Sequence, residues 1–221
     1  MANASFTRDE VILALDVLYS TKDGRINKNS EAIAKLCKTL HELPIISEAD
    51  RPAIFRTESG VSNQLMLFKR SYKTGIKDPN LGIIFLQIAG EFENRKDELH
   101  RIAEAIRRNT SCFDSTFGNQ AESDGFPEGS LLGHLHRIVE TRDSTKYTPG
   151  KRCEVCQIET DDIYPDCPSL MRLHLTIPVT ALNGKKRYGA ADFITVCPNC
   201  HAALHRRRPW LTKEDCGELL R

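Results

Sequence analysis

Cys153-Glu154-Val155-Cys156 and Cys197-Pro198-Asn199-Cys200-His201 decide how the last third of the chain folds. A spacing of two residues lets a pair of thiolates from one tight turn occupy adjacent vertices of a tetrahedron, and two such knuckles complete a four-sulfur Zn2+ site. A closed site of this kind is structural, its ion contributing folding free energy to a block with little apolar core of its own. Histidines gather around it in a pattern that a bare zinc ribbon does not need. His174 lies between the knuckles, and His201 and His205 are four apart on one helix face, where such a pair can share a metal ion. Cys37 reads as a core residue, while Cys112, Cys167 and Cys216 carry no readable role.

Around the knuckles, β-like runs at Leu170 to Thr176 and Phe193 to Val196 precede a helix from about Asn199 to Arg206. Thr212-Lys213-Glu214-Asp215 signals the cap of a last helix, and another helix is expected from Leu131 to Glu140. Upstream, residues 111–130 lose apolar periodicity and accumulate Gly118, Asn119, Gly125, Pro127 and Gly129, the composition of a connector. Before it, Thr7-Arg8-Asp9-Glu10 is a capping-box signature opening a helix to about Ser20. Ser30 caps a second helix, ended by Pro44; a third starts near Ser59, and a fourth, Glu93 to Arg108, alternates charges like a solvated cover helix. The expectation is α+β: a helical domain over 1–110, a linker over 111–130 and a second domain over 131–221.

With 221 residues, 40% of them hydrophobic, the chain can bury a core in each of two domains. Thirty-one basic against thirty acidic residues leave a net charge of +1, so a polyanion would have to be engaged by local patches. Such patches exist. Arg172, Lys185, Lys186 and Arg187 occur without an acid between Pro168 and Ala191, Arg206, Arg207 and Arg208 follow the histidine helix, and Lys69, Arg70, Lys73 and Lys77 lie on or just after the third helix. The absence of a long apolar run and of a signal-like start leads to the expectation of a cytoplasmic protein without a membrane partner, in which paired cysteines serve metals rather than disulfides.

The segments from Leu173 to Val179, Asp192 to His201 and His205 to Trp210, with Glu128-Gly129 and the His136 segment as lead-in, resemble the HNH endonuclease domain of bacterial restriction-type proteins over roughly 128–215. The resemblance implies a ββα-metal fold and hydrolysis of phosphodiester bonds in DNA with a divalent ion, Mg2+ or another. It makes His174, His201 and His205 the ligands of the catalytic ion, and Asp192 the support of the base. The family's proton-accepting histidine belongs at Leu175, and leucine accepts no proton. The alternatives are His174 as base with metal on His201 and His205 alone, a relative that binds DNA without cleaving, or an inactivated variant.

The run Phe55-Arg56, Gly60-Val61, Leu67-Phe68 resembles an N-terminal domain of HNH proteins in bacterial defence. The resemblance implies selection of a site in double-stranded DNA, including one with a modified base, with Arg56, Asn63, Gln64 and Lys69 as the expected contacts; from charge clustering, Arg70 and Lys73 on the third helix and Arg206 and Arg207 after the histidine helix are expected to meet phosphates. One HNH block has one active centre, so cutting both strands calls for a homodimer.

Overall fold

Thr7 opens the first helix as its sequence requires. Its side chain accepts the Glu10 amide, and the Glu10 carboxylate accepts the Thr7 amide in return (2.8 Å). The computed structural model, which describes residues 5–21, 26–46, 51–113, 130–167, 170–207 and 210–220, forms two compact units, Met1–Leu131 and Leu132–Arg221. The architecture is mixed, mostly helical with a small two-stranded sheet. Most of the expected connector, residues 114–129, lies outside the described residues, while Thr110–Cys112 forms a 3-10 turn.

In the first unit α1 (Arg8–Ser20) is apolar on nearly every side, and Val11 to Leu15 are fully buried, which places it at the centre. Around it pack α2 (Glu31–Glu42), α3 (Glu58–Thr74), α4 (Ile83–Glu91) and α5 (Lys96–Asn109). Sequence reading misses α4, because Ile83-Ile84-Phe85-Leu86 is uniformly apolar and shows no 3.6-residue stripe. Rather than a merely solvated cover, α5 buries Leu99, Ile102, Ala103 and Ile106 and turns its charges away from them.

Arg56, expected to contact DNA, is instead only 2% exposed. It donates from Nε to Glu10 Oε1 (2.5 Å) and from Nη2 to Glu10 Oε2 and the Ser5 carbonyl (2.8 Å each). Its guanidinium lies 3.8 Å from the Phe6 ring centroid and 4.8 Å from that of Phe55. The backbone there is left-handed, φ 45°, a conformation tolerated because these contacts over-determine it. The capping-box carboxylate thus doubles as the buried counter-ion of a distant arginine.

In the second unit α6 (Ser130–Ser144), the single turn α7 (Thr160–Ile163), β1 (Arg172–Leu175), β2 (Phe193–Val196) and α8 (Pro198–Arg206) follow in order. The expected last helix is a 3-10 turn, Cys216–Leu220; Thr212 donates its hydroxyl hydrogen bond to Asp215 (2.8 Å). The strands pair antiparallel, His174 opposite Ile194 and Leu175 opposite Phe193. Thr176 N–H reaches the Asp192 carbonyl (2.9 Å), so by alternation Leu175 turns its N–H and C=O away from β2. Both are met by α6: Leu175 N–H donates to Glu140 Oε2 (2.9 Å), and His136 Nε2–H, one helical turn earlier, donates to the Leu175 carbonyl (3.1 Å). On the opposite edge Thr195 N–H donates to the Glu154 carboxylate (2.7 Å) and the Thr195 carbonyl accepts the Glu154 amide (2.8 Å). A sheet of two four-residue strands is marginal alone; here both edges are clasped.

The end of α6 is pinned by charge. Asp143, buried, accepts from Arg142, from Arg187 Nη1 (2.9 Å) and from the Tyr188 amide (3.1 Å), while Arg142 also donates to the carbonyls of Gly184 and Lys186 (2.6 Å each). Arg142 chiefly, aided by Arg187 and the Tyr188 amide against the effect of burial, holds the Asp143 carboxyl well below the usual carboxylate range. Arg187, part of the basic cluster read in the sequence, is therefore tied to this carboxylate.

Two outcomes are expected. Arg56→Ala leaves Glu10 charged and buried without its partner, which should cost the first unit about 3 kcal/mol or more in urea unfolding, and Arg56→Lys should not restore it. A depressed Asp143 pKa gives stability that is full above pH ~5 and is lost progressively as pH falls from ~4 through the lower pKa of the folded state, so the acid transition of the second unit should be shallower in Asp143→Asn.

Candidate metal centres

Two groups of converging donors lie in the second unit. In the first, the sulfurs of Cys153, Cys156, Cys197 and Cys200 all lie within 4.8 Å of one another, and Cys156 Sγ stands 3.7 Å from Cys197 Sγ. A tetrahedral ion with metal–sulfur bonds of about 2.3 Å sets its sulfurs about 3.8 Å apart, so the cluster fits Zn2+. The described cysteines are all free of disulfides. Each knuckle has the same local cause: the Cys156 amide donates to Cys153 Sγ and the Cys200 amide to Cys197 Sγ (3.5 Å each), with Cys197 at the N-cap of α8 and Pro198 behind it. Gln157, in left-handed backbone at φ 64°, closes the first turn. Burial, together with the neighbouring thiols, pushes the Cys200 thiol up. Four thiolates so close repel unless a cation neutralises them, which is the chemistry of a structural metal site.

In the second group one donor atom each from Glu140, His174, His201 and His205 lies within 4.8 Å of the others. β1 supplies His174, α6 supplies Glu140, and α8 supplies both remaining histidines from one face. Glu140 Oε1 is 2.8 Å from His201 Nε2 and 3.3 Å from His205 Nε2; Oε2 is 3.2 Å from His174 Nδ1. His174 is buried, and its Nδ1 faces the carboxylate without forming a hydrogen bond. Burial would raise the Glu140 carboxyl pKa, but the three imidazoles around it hold it below the usual carboxylate range, while burial drives His174 toward the neutral form. An ionised carboxylate among imidazoles with inward-facing nitrogens is a donor set suited to a divalent metal.

One side of this group opens to solvent. Glu140 and His201 line a groove of about 350 Å³ with Tyr147, Pro149, Met171 and Arg172. Behind the group His136 is sealed in, its ring 4.6 Å from that of Trp210 and its pKa pushed down to about 3 by burial.

His174, His201 and His205, selected from the sequence, are thus brought together. Asp192 is not among the converging donors; its carboxylate accepts the Gly189 amide (2.8 Å) inside the turn before β2. Sequence reading does not single out Glu140, or His136 as a donor, although their i, i+4 spacing on α6 mirrors that of His201 and His205. Leu175, where the HNH resemblance leads one to expect the base, is fully buried. In the first unit Asn63, Gln64 and Arg56 line one cavity of about 470 Å³ with Phe6 and Asn80. The Gln64 amide donates to the Asn80 carbonyl (3.0 Å) and accepts the Gly82 amide (3.4 Å), bracing the start of α4. Lys69, Arg70 and Lys73 share an exposed stretch of α3, and Arg206 and Arg207 are exposed at the end of α8.

Comparison with known proteins finds no matching family model, no matching curated protein and no matching solved structure. No described helix is long and apolar enough to cross a membrane.

The two centres should separate by mutation. Cys197→Ser should strip the thiolate ion and abolish cooperative melting of the second unit, whereas His201→Ala should leave that ion at one per chain by elemental analysis; loss of both ions in His201→Ala would contradict the separation.

Proposed function

We propose that the protein is a metal-dependent DNA endonuclease of HNH type, in which the second unit cuts and the first selects the site. The observation that carries this reading is the convergence of Glu140, His174, His201 and His205, of which Glu140 and His201 line an open groove. A divalent ion held there supplies Lewis-acid stabilisation of charge on the scissile phosphate and the leaving oxygen. His174 and His205, buried beside Glu140 of α6, and His201, partly exposed at the groove, would hold that ion. Arg172 beside the groove, Arg206 at the end of α8 and Arg207 just after it would hold phosphates without reading sequence. Lys69, Arg70 and Lys73 on α3 extend the same chemistry to the first unit. The cavity lined by Asn63 supports a site for base edges, including modified bases, whereas the Gln64 amide is engaged by Asn80 and Gly82; cutting both strands would require a homodimer.

Leu175 favours a second reading, a DNA-binding module without cleavage. Its side chain is fully buried where the HNH resemblance calls for a proton-accepting histidine. Plasmid nicking in Mn2+, Co2+, Ni2+ and Mg2+ separates the two. The first reading predicts nicking that His201→Ala reduces at least ~100-fold; intact plasmid with every ion, alongside retained duplex binding, establishes the second.

A further inference from the structure

We infer that Glu140 is the fourth protein ligand of the second centre, and that its three-imidazole, one-carboxylate set selects a borderline transition cation such as Zn2+, Co2+ or Ni2+ over Mg2+. This deepens the proposed function by naming the class of ion, and it rests on that reading only for the presence of an ion.

A tetrahedral ion bound at about 2.0–2.1 Å sets its nitrogen and oxygen donors about 3.3 Å apart. Glu140 Oε1 stands 3.3 Å from His205 Nε2 and 2.8 Å from His201 Nε2, those two nitrogens are 3.3 Å apart, and Oε2 is 3.2 Å from His174 Nδ1. The carboxylate is therefore within the ligand shell, not behind it. Among the described residues its ion pairs are with these imidazoles alone. A carboxylate with a 9% exposed side chain is costly to keep charged without a stronger cation, and the convergent nitrogens supply a place for one.

Its aim is fixed independently of any ion. The Leu175 N–H, left over by the β ladder, holds Oε2 at 2.9 Å. The residue that removes the side-chain base thus supplies, through its backbone, the orientation of the fourth ligand. Three imidazole nitrogens favour Zn2+, Co2+ and Ni2+, whereas Mg2+ demands octahedral oxygen and retains its waters.

The test uses the full chain with Zn2+ in the thiolate site, titrated with Co2+ and followed by its visible spectrum. Wild type should give the intense bands of four- or five-coordinate Co2+ without sulfur charge transfer, and millimolar Mg2+ should not displace it. Glu140→Gln, which keeps an acceptor for Leu175 N–H, should weaken Co2+ binding at least ~100-fold while the thiolate Zn2+ and the far-ultraviolet circular dichroism stay unchanged. Unaltered affinity and spectrum in Glu140→Gln overturn the assignment. So does a weak six-coordinate spectrum in wild type, a measurement independent of any variant's folding, and displacement by Mg2+ overturns the selectivity. Because none of these readouts involves DNA, an inactive nuclease with an intact Co2+ spectrum rejects the proposed function and leaves the inference standing.

Discussion

Four sulfurs converging on a site that could hold one cation are the constraint on which the second unit depends. They tie the turn at Cys153–Cys156 to the N-terminus of α8, and the residues they join are otherwise 41 apart in sequence at Cys156 and Cys197. The apolar cluster here is modest: Val155, Met171, Ile194, Val196, Leu204 and Leu211 pack around the cysteines themselves. Closing a loop of this size through metal bonds would remove unfolded-state entropy and so add to what the burial of this cluster contributes.

Order at the thiolate site propagates to the histidines through the sheet. Glu154, inside the first knuckle, clasps Thr195 on the outer edge of β2, while α6 clasps Leu175 on the outer edge of β1. The register places His174 opposite Ile194, four residues before α8 begins, so the strand histidine and the helix histidines meet without a long connecting structure. A slip of one residue in β1 would carry His174 to the other face and leave Glu140 without its backbone donor. The two centres are distinct in donor chemistry yet share one scaffold.

Much of this was legible in the sequence because it is local. The CxxC spacing, the i, i+4 histidines, the Thr7 capping box and the β-like runs all announce themselves within a few residues. What escaped is non-local. Glu140 looks like any helix acid until β1 presents a spare amide to it. Arg56 looks like a surface base until Glu10, 46 residues earlier, is seen to be buried against it. Gln64 has the side chain of a base reader and spends it on the entry to α4. α4 itself is hidden because a helix apolar on most sides has no periodicity to detect. In each case the deciding partner is distant in the chain.

The most direct measurement of this account is amide hydrogen exchange across the full chain, before and after removal of metal by a strong chelator. Protection in β1, β2 and α8 should collapse while α1 to α5 of the first unit keep theirs. Unchanged protection at Thr195, Leu175 and Cys200 in the metal-free chain would contradict it.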